Sequence, residues 1–194
     1  MTNKSSMIRF MVYLNNQQFS SLDANFILKK ARKSVRRHDV IVRDCRVSKF
    51  FIELDISICR EEKIENIIDL LKEISSLKEF VEVKERVFKK KEEVMERAIQ
   101  LFNEEKYWWS HEVLEGIWKI ASGSEKELLN GLILVAAAFV HDQKNEKEIS
   151  LSILQRSLTK LSSSSGTYYA INVDIIKEKI KNIIENKQIS RFTI

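Results

Sequence analysis

The sequence predicts an α+β fold in which an amino-terminal βαββαβ sandwich precedes an all-α array of about five helices. Two observations predict this. Up to about residue 88, segments of alternating apolar and polar residues are interleaved with segments whose apolar residues recur at helical spacing. Beyond the basic run 89–91, only the helical spacing continues. We therefore expect two domains, at residues 1–88 and 89–194.

Four strands are predicted where apolar and polar residues alternate, at 7–14, 40–47, 50–59 and 80–88. In the third strand, the residues expected to face the core are Phe50, Ile52, Leu54, Ile56 and Ile58. Phe51, Glu53, Asp55 and Ser57 are expected on the outside. Two helices are predicted between the strands, at about 21–37 and 63–75. The apolar stripe of the first helix consists of Leu22, Phe26, Ile27, Ala31 and Val35. This order is that of the ferredoxin-like sandwich, a fold that hosts many functions and indicates none.

The carboxy-terminal half carries helical patterns at about 90–104, 107–121, 125–143, 146–162 and 172–187, and no strand pattern. The junctions between them are short and polar, such as Ser122–Ser124 and the serine run that ends at Gly166. Short junctions favour antiparallel neighbours, so we expect a compact helical array.

The composition is that of a globular protein, with 44% apolar and 31% charged residues. The longest apolar stretch, 132–140, is too short to cross a bilayer, and the amino terminus lacks the apolar core of a signal peptide. We therefore expect a cytoplasmic protein that does not contact a membrane. Cys45 and Cys59 are expected as unpaired thiols, with a disulfide across a hairpin as the alternative. The abundance of Lys, Glu and Ile is compatible with a thermophilic source.

The net charge of +5 is unevenly placed. Residues 1–60 contain 12 Lys and Arg against 5 Asp and Glu, a local charge of +7. The first helix and its end carry the candidate nucleic-acid contacts, which are Lys29, Lys33, Arg36 and Arg37. A solvated helix face is the leading interpretation of these residues, and electrostatic contact with phosphate groups is the alternative.

The second helix of the carboxy-terminal half carries an unusual polar and aromatic face. His111 and Glu115 stand one turn apart, and Trp118 continues the same face. Trp108 precedes His111 by three residues and Glu112 by four. A buried carboxylate must be paired, hydrogen-bonded or bound to metal, so a cluster of this kind indicates either a fold-holding network or a site.

This stretch resembles the domain of unknown function 309 family. The first matching pattern is carried by Phe102, Tyr107, Trp108, His111, Glu112, Leu114, Glu115 and Trp118. The second is carried by Gly131, Leu132, Ile133, Ala136, Ala137, Ala138 and His141. Later matches are Asn145, Leu158, Leu161, Tyr169, Ile171 and Val173. The resemblance covers about residues 90–187 and implies a small all-α domain, without an established activity.

In an antiparallel array, His141 at the end of the third helix of this half is expected near His111. Three interpretations of the resulting cluster stay open. The first is a buried hydrogen-bond network that holds helix register, with Tyr107, Trp108 and Trp118 as packing partners. The second is a zinc or iron site formed by His111, Glu115 and His141. The third is a catalytic acid–base pair drawn from His111, Glu112, Glu115 and His141.

The sequence contains no P-loop, no dinucleotide-binding glycine pattern, no Cys-x-x-Cys and no Gly-x-Ser-x-Gly. A binding or scaffolding module that contacts a protein partner or a second copy is therefore the leading functional hypothesis. A metal-dependent hydrolase-like enzyme and a nucleic-acid-binding protein are the alternatives. The structural interpretation of the cluster predicts that His111→Ala lowers stability.

Overall fold

The computed structural model describes residues 7–36, 38–84 and 90–194. These residues form two compact units. The first unit contains the described residues 7–36, 38–84 and 143–145, and the second contains residues 90–142 and 146–194. No helix in the described ranges combines the length and the apolar character that crossing a bilayer demands.

The first unit has a four-stranded antiparallel sheet and two helices. Its strands are β1 (Met7–Asn15), β2 (Val40–Val47), β3 (Phe51–Cys59) and β4 (Leu77–Glu82). Its helices are α1 (Ala24–Ser34), entered through a 3-10 turn at Ser21–Asp23, and α2 (Ile64–Leu71). The strand order β2-β3-β1-β4 is that of a ferredoxin-like sandwich. The predicted α+β fold is therefore confirmed.

Both helices pack on one face of this sheet. The core contains Ile52, Leu54, Ile56 and Ile58 of β3, alternating as predicted. The buried residues of α2 also belong to this core, namely Ile64, Ile67, Ile68 and Leu71. The carboxylate of Asp23 accepts from the Ser20 N–H at 2.8 Å, which fixes the turn that leads into α1.

Three predictions in this unit were wrong. Leu22 and Phe26 do not face the core but are 74% and 61% exposed, because α1 turns Ala24, Ile27 and Ala31 toward the sheet. Phe50 lies in the turn before β3 and is exposed. β4 begins at Leu77, three residues before the predicted strand, and residues 85–88 of that prediction lie outside the described residues.

The second face of the sheet is also buried, contrary to the expectation for β3. Arg9 of β1 binds Asp55 through two hydrogen bonds, of 2.9 and 2.6 Å. Arg46 of β2 contacts Glu53, and both side chains are only 2–3% exposed. Arg46 also lies 3.5 Å from Asp44 and 3.3 Å from the Met11 sulfur. Charged residues are tolerated here because each carboxylate has a guanidinium partner on a neighbouring strand.

Over residues 90–142 and 146–194, the second unit contains five helices, as predicted. They are α3 (Lys91–Asn103), α4 (Tyr107–Trp118), α5 (Gly123–Asp142), α6 (Lys147–Leu161) and α7 (Val173–Asn186). The expectation that this half has no strand was wrong, since β5 (Thr167–Tyr168) pairs with β6 (Ile171–Asn172) in a short hairpin. Two residues per strand are too few to produce a visible alternation in the sequence.

Close contacts at two places hold this unit together, the crossing of α5 and α6 and the return of the chain after α7. At the crossing of α5 and α6, Ser157 Oγ donates to the Gly131 carbonyl at 2.8 Å, and Gly131 faces the buried side chain of Leu161. After α7 the chain returns to the start of the unit, where Ile194 N–H donates to Asn103 Oδ1 at 2.9 Å. Phe192 joins an aromatic cluster, with its ring centroid 5.2 Å from that of Phe139.

The two cysteines form no disulfide. Cys45 lies in the sheet core, where burial raises the pKa of its thiol well above the usual range. Because the thiolate is the reactive form, the Cys45 thiol is expected to be inert while the protein is folded.

Candidate functional site

The polar and aromatic face of α4 is half-exposed. The buried face of the helix is formed by Tyr107, Ser110, Leu114 and Ile117, which recur every three or four residues. His111, Glu112 and Glu115 lie beside that stripe, with side chains 24%, 43% and 37% exposed. The expectation of a buried cluster was therefore wrong, because α4 fills its core with a different stripe.

His111 is the centre of this face. Its Nε2 nitrogen lies 3.7 Å from Glu115 Oε1, and its Nδ1 nitrogen lies 3.5 Å from Glu112 Oε1. The second contact lacks the geometry of a hydrogen bond, and the buried Nδ1 nitrogen has no hydrogen-bond partner within the described chain. Two carboxylates thus flank one imidazole at distances that indicate electrostatic contact rather than strong hydrogen bonds.

The three predicted packing aromatics differ in their surroundings. Tyr107 is buried, with its ring centroid 4.9 Å from that of Phe102 and 5.0 Å from that of Phe139. Burial raises the pKa of the Tyr107 hydroxyl, which stays protonated at neutral pH. Trp108 is half-buried, with its edge against Trp109. Lys126 Nζ lies over the Trp118 ring, 4.8 Å from its centroid. The buried Nε1 nitrogen of Trp118 has no hydrogen-bond acceptor among the residues that the structure describes.

His141 takes a different partner from the one predicted. Its Nδ1 nitrogen contacts the Glu146 carboxylate across the α5–α6 junction. Over residues 7–36, 38–84 and 90–194, no group of three or more His, Cys, Asp or Glu side chains is arranged to hold a metal ion. The geometry therefore does not assemble His111, Glu115 and His141 into the predicted zinc or iron site.

A cavity of about 570 Å³ lies elsewhere in the second unit. It is lined by α7 and the segment after it, through Lys179, Asn182, Ile183, Asn186, Gln188, Ser190 and Phe192. None of the four catalytic candidates of the sequence contributes to its wall. An acid–base pair on α4 would thus work on an open helix face rather than in this cavity.

Basic residues of α1 and of the turn after it form an exposed charged surface of the first unit. Lys29 and Lys33 are exposed on α1, and Arg36 is exposed in the turn that follows. Arg37, the fourth predicted nucleic-acid contact, lies outside the described residues. Arg32 is oriented differently, since its guanidinium donates to the carbonyls of Val42 and Arg43 at 2.9 and 3.2 Å.

Leu22 and Phe26 belong to this surface, although the sequence assigned them to the core. At about 100° per residue, positions 26, 29 and 33 lie on the side of α1 opposite Ala24, Ile27 and Ala31. The spacing 22-26-29-33 was the signal that could have found them, because it places two apolar side chains in line with two lysines. We call Leu22, Phe26, Lys29, Lys33 and Arg36 the α1 surface.

Comparison with known proteins places the second unit in context. Residues 95–153 match the model of a family described as a domain of unknown function, DUF309, which confirms the resemblance within that range. A solved structure of a conserved hypothetical protein from Thermus thermophilus is similar to this chain, with 25% identity and a TM-score of 0.42. That similarity covers 47% of this chain and 95% of the other. No curated protein matches the chain.

Proposed function

We propose that this protein, whose helical half resembles the domain of unknown function 309, is a binding protein that contacts nucleic-acid phosphates through the α1 surface. The observation that carries the proposal is the set of three exposed cations, Lys29, Lys33 and Arg36. Their side chains make no ion pair with any residue that the structure describes. Exposed cations without carboxylate partners produce a positive potential that attracts a polyanion.

The surroundings of α1 support the same assignment. The helix α1 (Ala24–Ser34) contains no Asp or Glu, so the positive charge of the α1 surface is not neutralised from within its own helix. Asp23 precedes the helix and accepts hydrogen bonds from the Ser20 N–H and hydroxyl. Lys30, which lies beside the α1 surface, donates to the Glu73 carbonyl and is not needed for the surface.

Charge reversal tests this function. In the variant Lys33→Glu/Arg36→Glu, we expect the affinity for a fluorescently labelled oligonucleotide to fall by about tenfold or more at low salt, since four units of charge are changed near the phosphates. Fluorescence anisotropy measured over a salt series should also give a shallower dependence for the variant. Lys147→Glu/Lys181→Glu, which removes the same amount of charge at exposed positions of α6 and α7, is the control for net charge alone. Equal affinity of the wild type and the α1 variant would contradict the proposal.

The half-exposed face of α4 supports a second candidate function, contact with a protein partner. The side chains of His111, Glu112 and Glu115 are 24%, 43% and 37% exposed, so a partner can reach them on one side of α4. Glu112 and Glu115 would then favour a partner with a basic segment.

Substitution of His111 distinguishes this function from a structural role. Since its carboxylate neighbours are exposed, His111→Ala is expected to change the free energy of unfolding by about 1 kcal/mol or less. Urea unfolding of the variant, with Lys119→Ala as an exposed control at the C-cap of the same helix, measures this. A loss several times larger would assign the cluster to the fold. Zinc or iron that copurifies with the wild type, and is lost in both His111→Ala and Glu115→Ala, would instead revive the metal hypothesis.

A further inference from the structure

The α1 surface combines two features that phosphate contact alone does not explain. Leu22 and Phe26 are large apolar side chains that are 74% and 61% exposed. Phe26 precedes Lys29 and Lys33 on the same side of α1, and Leu22 lies in the 3-10 turn that leads into this helix. Contact with a phosphate group accounts for the exposed cations, whereas an exposed phenyl ring gains no binding free energy from a phosphate group. The ring therefore points to a ligand that offers an apolar face next to its negative charge.

We propose that the α1 surface binds single-stranded nucleic acid, with Phe26 as the platform on which an unstacked base lies. This inference rests on the proposed function and adds the class of nucleic acid to it. Proteins that bind single strands combine cations along the backbone with aromatic rings on which bases stack. Phe26 and Lys33 are seven residues apart, or about 10 Å along the helix, so a base on Phe26 leaves its backbone within reach of the lysines.

The sheet does not provide this platform. Tyr13 and Phe51 are the two aromatic residues on its second face, and they pack edge to face with ring centroids 5.0 Å apart. Both are buried, and Glu53 and Asp55 lie on the same face. Exposed aromatic rings next to cations lie outside the sheet faces, at Phe50, with Lys49 Nζ 5.7 Å from its ring centroid, and at Phe26 on α1. Phe26 is the more exposed of the two, at 61% against 49%, and is in line with two lysines.

Duplex nucleic acid and a lipid surface fit the α1 surface less well. The bases of a duplex are stacked on one another, so Phe26 would find no free base. A helix that lies in a lipid surface needs a broad apolar face. The broad apolar face of α1, formed by Ala24, Ile27 and Ala31, is already buried against the sheet. Only Leu22 and Phe26 would remain for insertion.

The test compares substitutions of Phe26 that separate stacking from apolar contact. Binding of the full chain to a labelled thymidine oligonucleotide of about 20 residues is measured by fluorescence anisotropy at low salt. We expect Phe26→Leu to weaken this binding by about fivefold or more, and Phe26→Trp to retain it. Binding to a duplex of the same length should be weaker and unaffected by Phe26→Leu. Ile120→Ala, at an exposed apolar site of the second unit, is the control, and circular dichroism checks that every variant is folded.

Each outcome has a distinct meaning. Equal binding of single strand and duplex, with no effect of Phe26→Leu, would overturn the single-strand inference while Lys33→Glu/Arg36→Glu still tests the proposed function. Absence of binding to either oligonucleotide would overturn both. Binding to phosphatidylcholine vesicles containing phosphatidylserine, without binding to the oligonucleotides, would reassign the α1 surface to a lipid headgroup and also overturn both.

Discussion

Replacement of Arg46 by methionine is expected to destabilise the first unit by about 3–5 kcal/mol, because it leaves a buried carboxylate without its partner. Arg46 and Glu53 are both 2% exposed as whole residues, and their contact joins β2 to β3. Methionine preserves much of the side-chain length, so the main loss is the charge that compensates Glu53. Urea unfolding followed by far-UV circular dichroism measures the change.

Two further variants make this prediction specific to the buried pair. Arg46→Met/Glu53→Met removes both charges and is expected to recover most of the lost stability, since apolar replacements of a whole buried pair are often neutral. Arg43→Met is the matched control on the same strand, because Arg43 is exposed and donates to Ser57 Oγ at 2.8 Å. If Arg46→Met costs no more than Arg43→Met, the Arg46–Glu53 contact does not hold the sheet together.

Substitution of two helical glycines by alanine is expected to change stability in opposite directions. A Cβ atom on Gly131 would lie 2.5 Å from both Leu161 Cγ and Cδ2, and Leu161 is fully buried. Gly131→Ala should therefore destabilise the second unit by about 1–3 kcal/mol, despite the better helix propensity of alanine. A Cβ atom on Gly116 of α4 meets nothing within 4 Å.

Gly116→Ala is accordingly expected to stabilise the protein by up to about 1 kcal/mol. Because both substitutions are the same chemical change in a helix, the difference between them isolates the close approach of α5 and α6. The tryptophans of α4 provide a fluorescence signal for urea unfolding of this unit. A Gly131→Ala variant as stable as Gly116→Ala would show that Leu161 moves aside at no cost.

The sequence predicted the elements well where one apolar stripe dominates. β2 was predicted with its observed bounds, and α7 to within one residue at each end. The prediction failed where two stripes compete. In α1 the apolar residues fall on two lines, and only the position of the sheet decides that Ile27 and Ala31 are buried while Phe26 is exposed.

Burial of charged residues could not be predicted for a related reason. Glu53 and Asp55 resemble surface residues because their partners, Arg46 and Arg9, come from other strands. Pairing of this kind depends on strand register, which alternation within one strand does not encode. In α4 the two tryptophans and the histidine suggested a buried site, whereas Val113, Leu114 and Ile117 fill the core.

The return of the chain after α7 affects how the second unit folds. Arg191 binds Asp142 at 2.6 Å and Glu105 at 2.9 Å, and Phe192 completes the cluster around Phe102 and Phe139. The contact between Asn103 and Ile194 spans 91 residues, in a unit whose other helix contacts are mostly between sequence neighbours. During synthesis on the ribosome, helices α3 to α6 can therefore associate early, but their aromatic cluster stays incomplete until residue 192 has emerged. We therefore expect the long-range contacts of the second unit to form last, with its final segment.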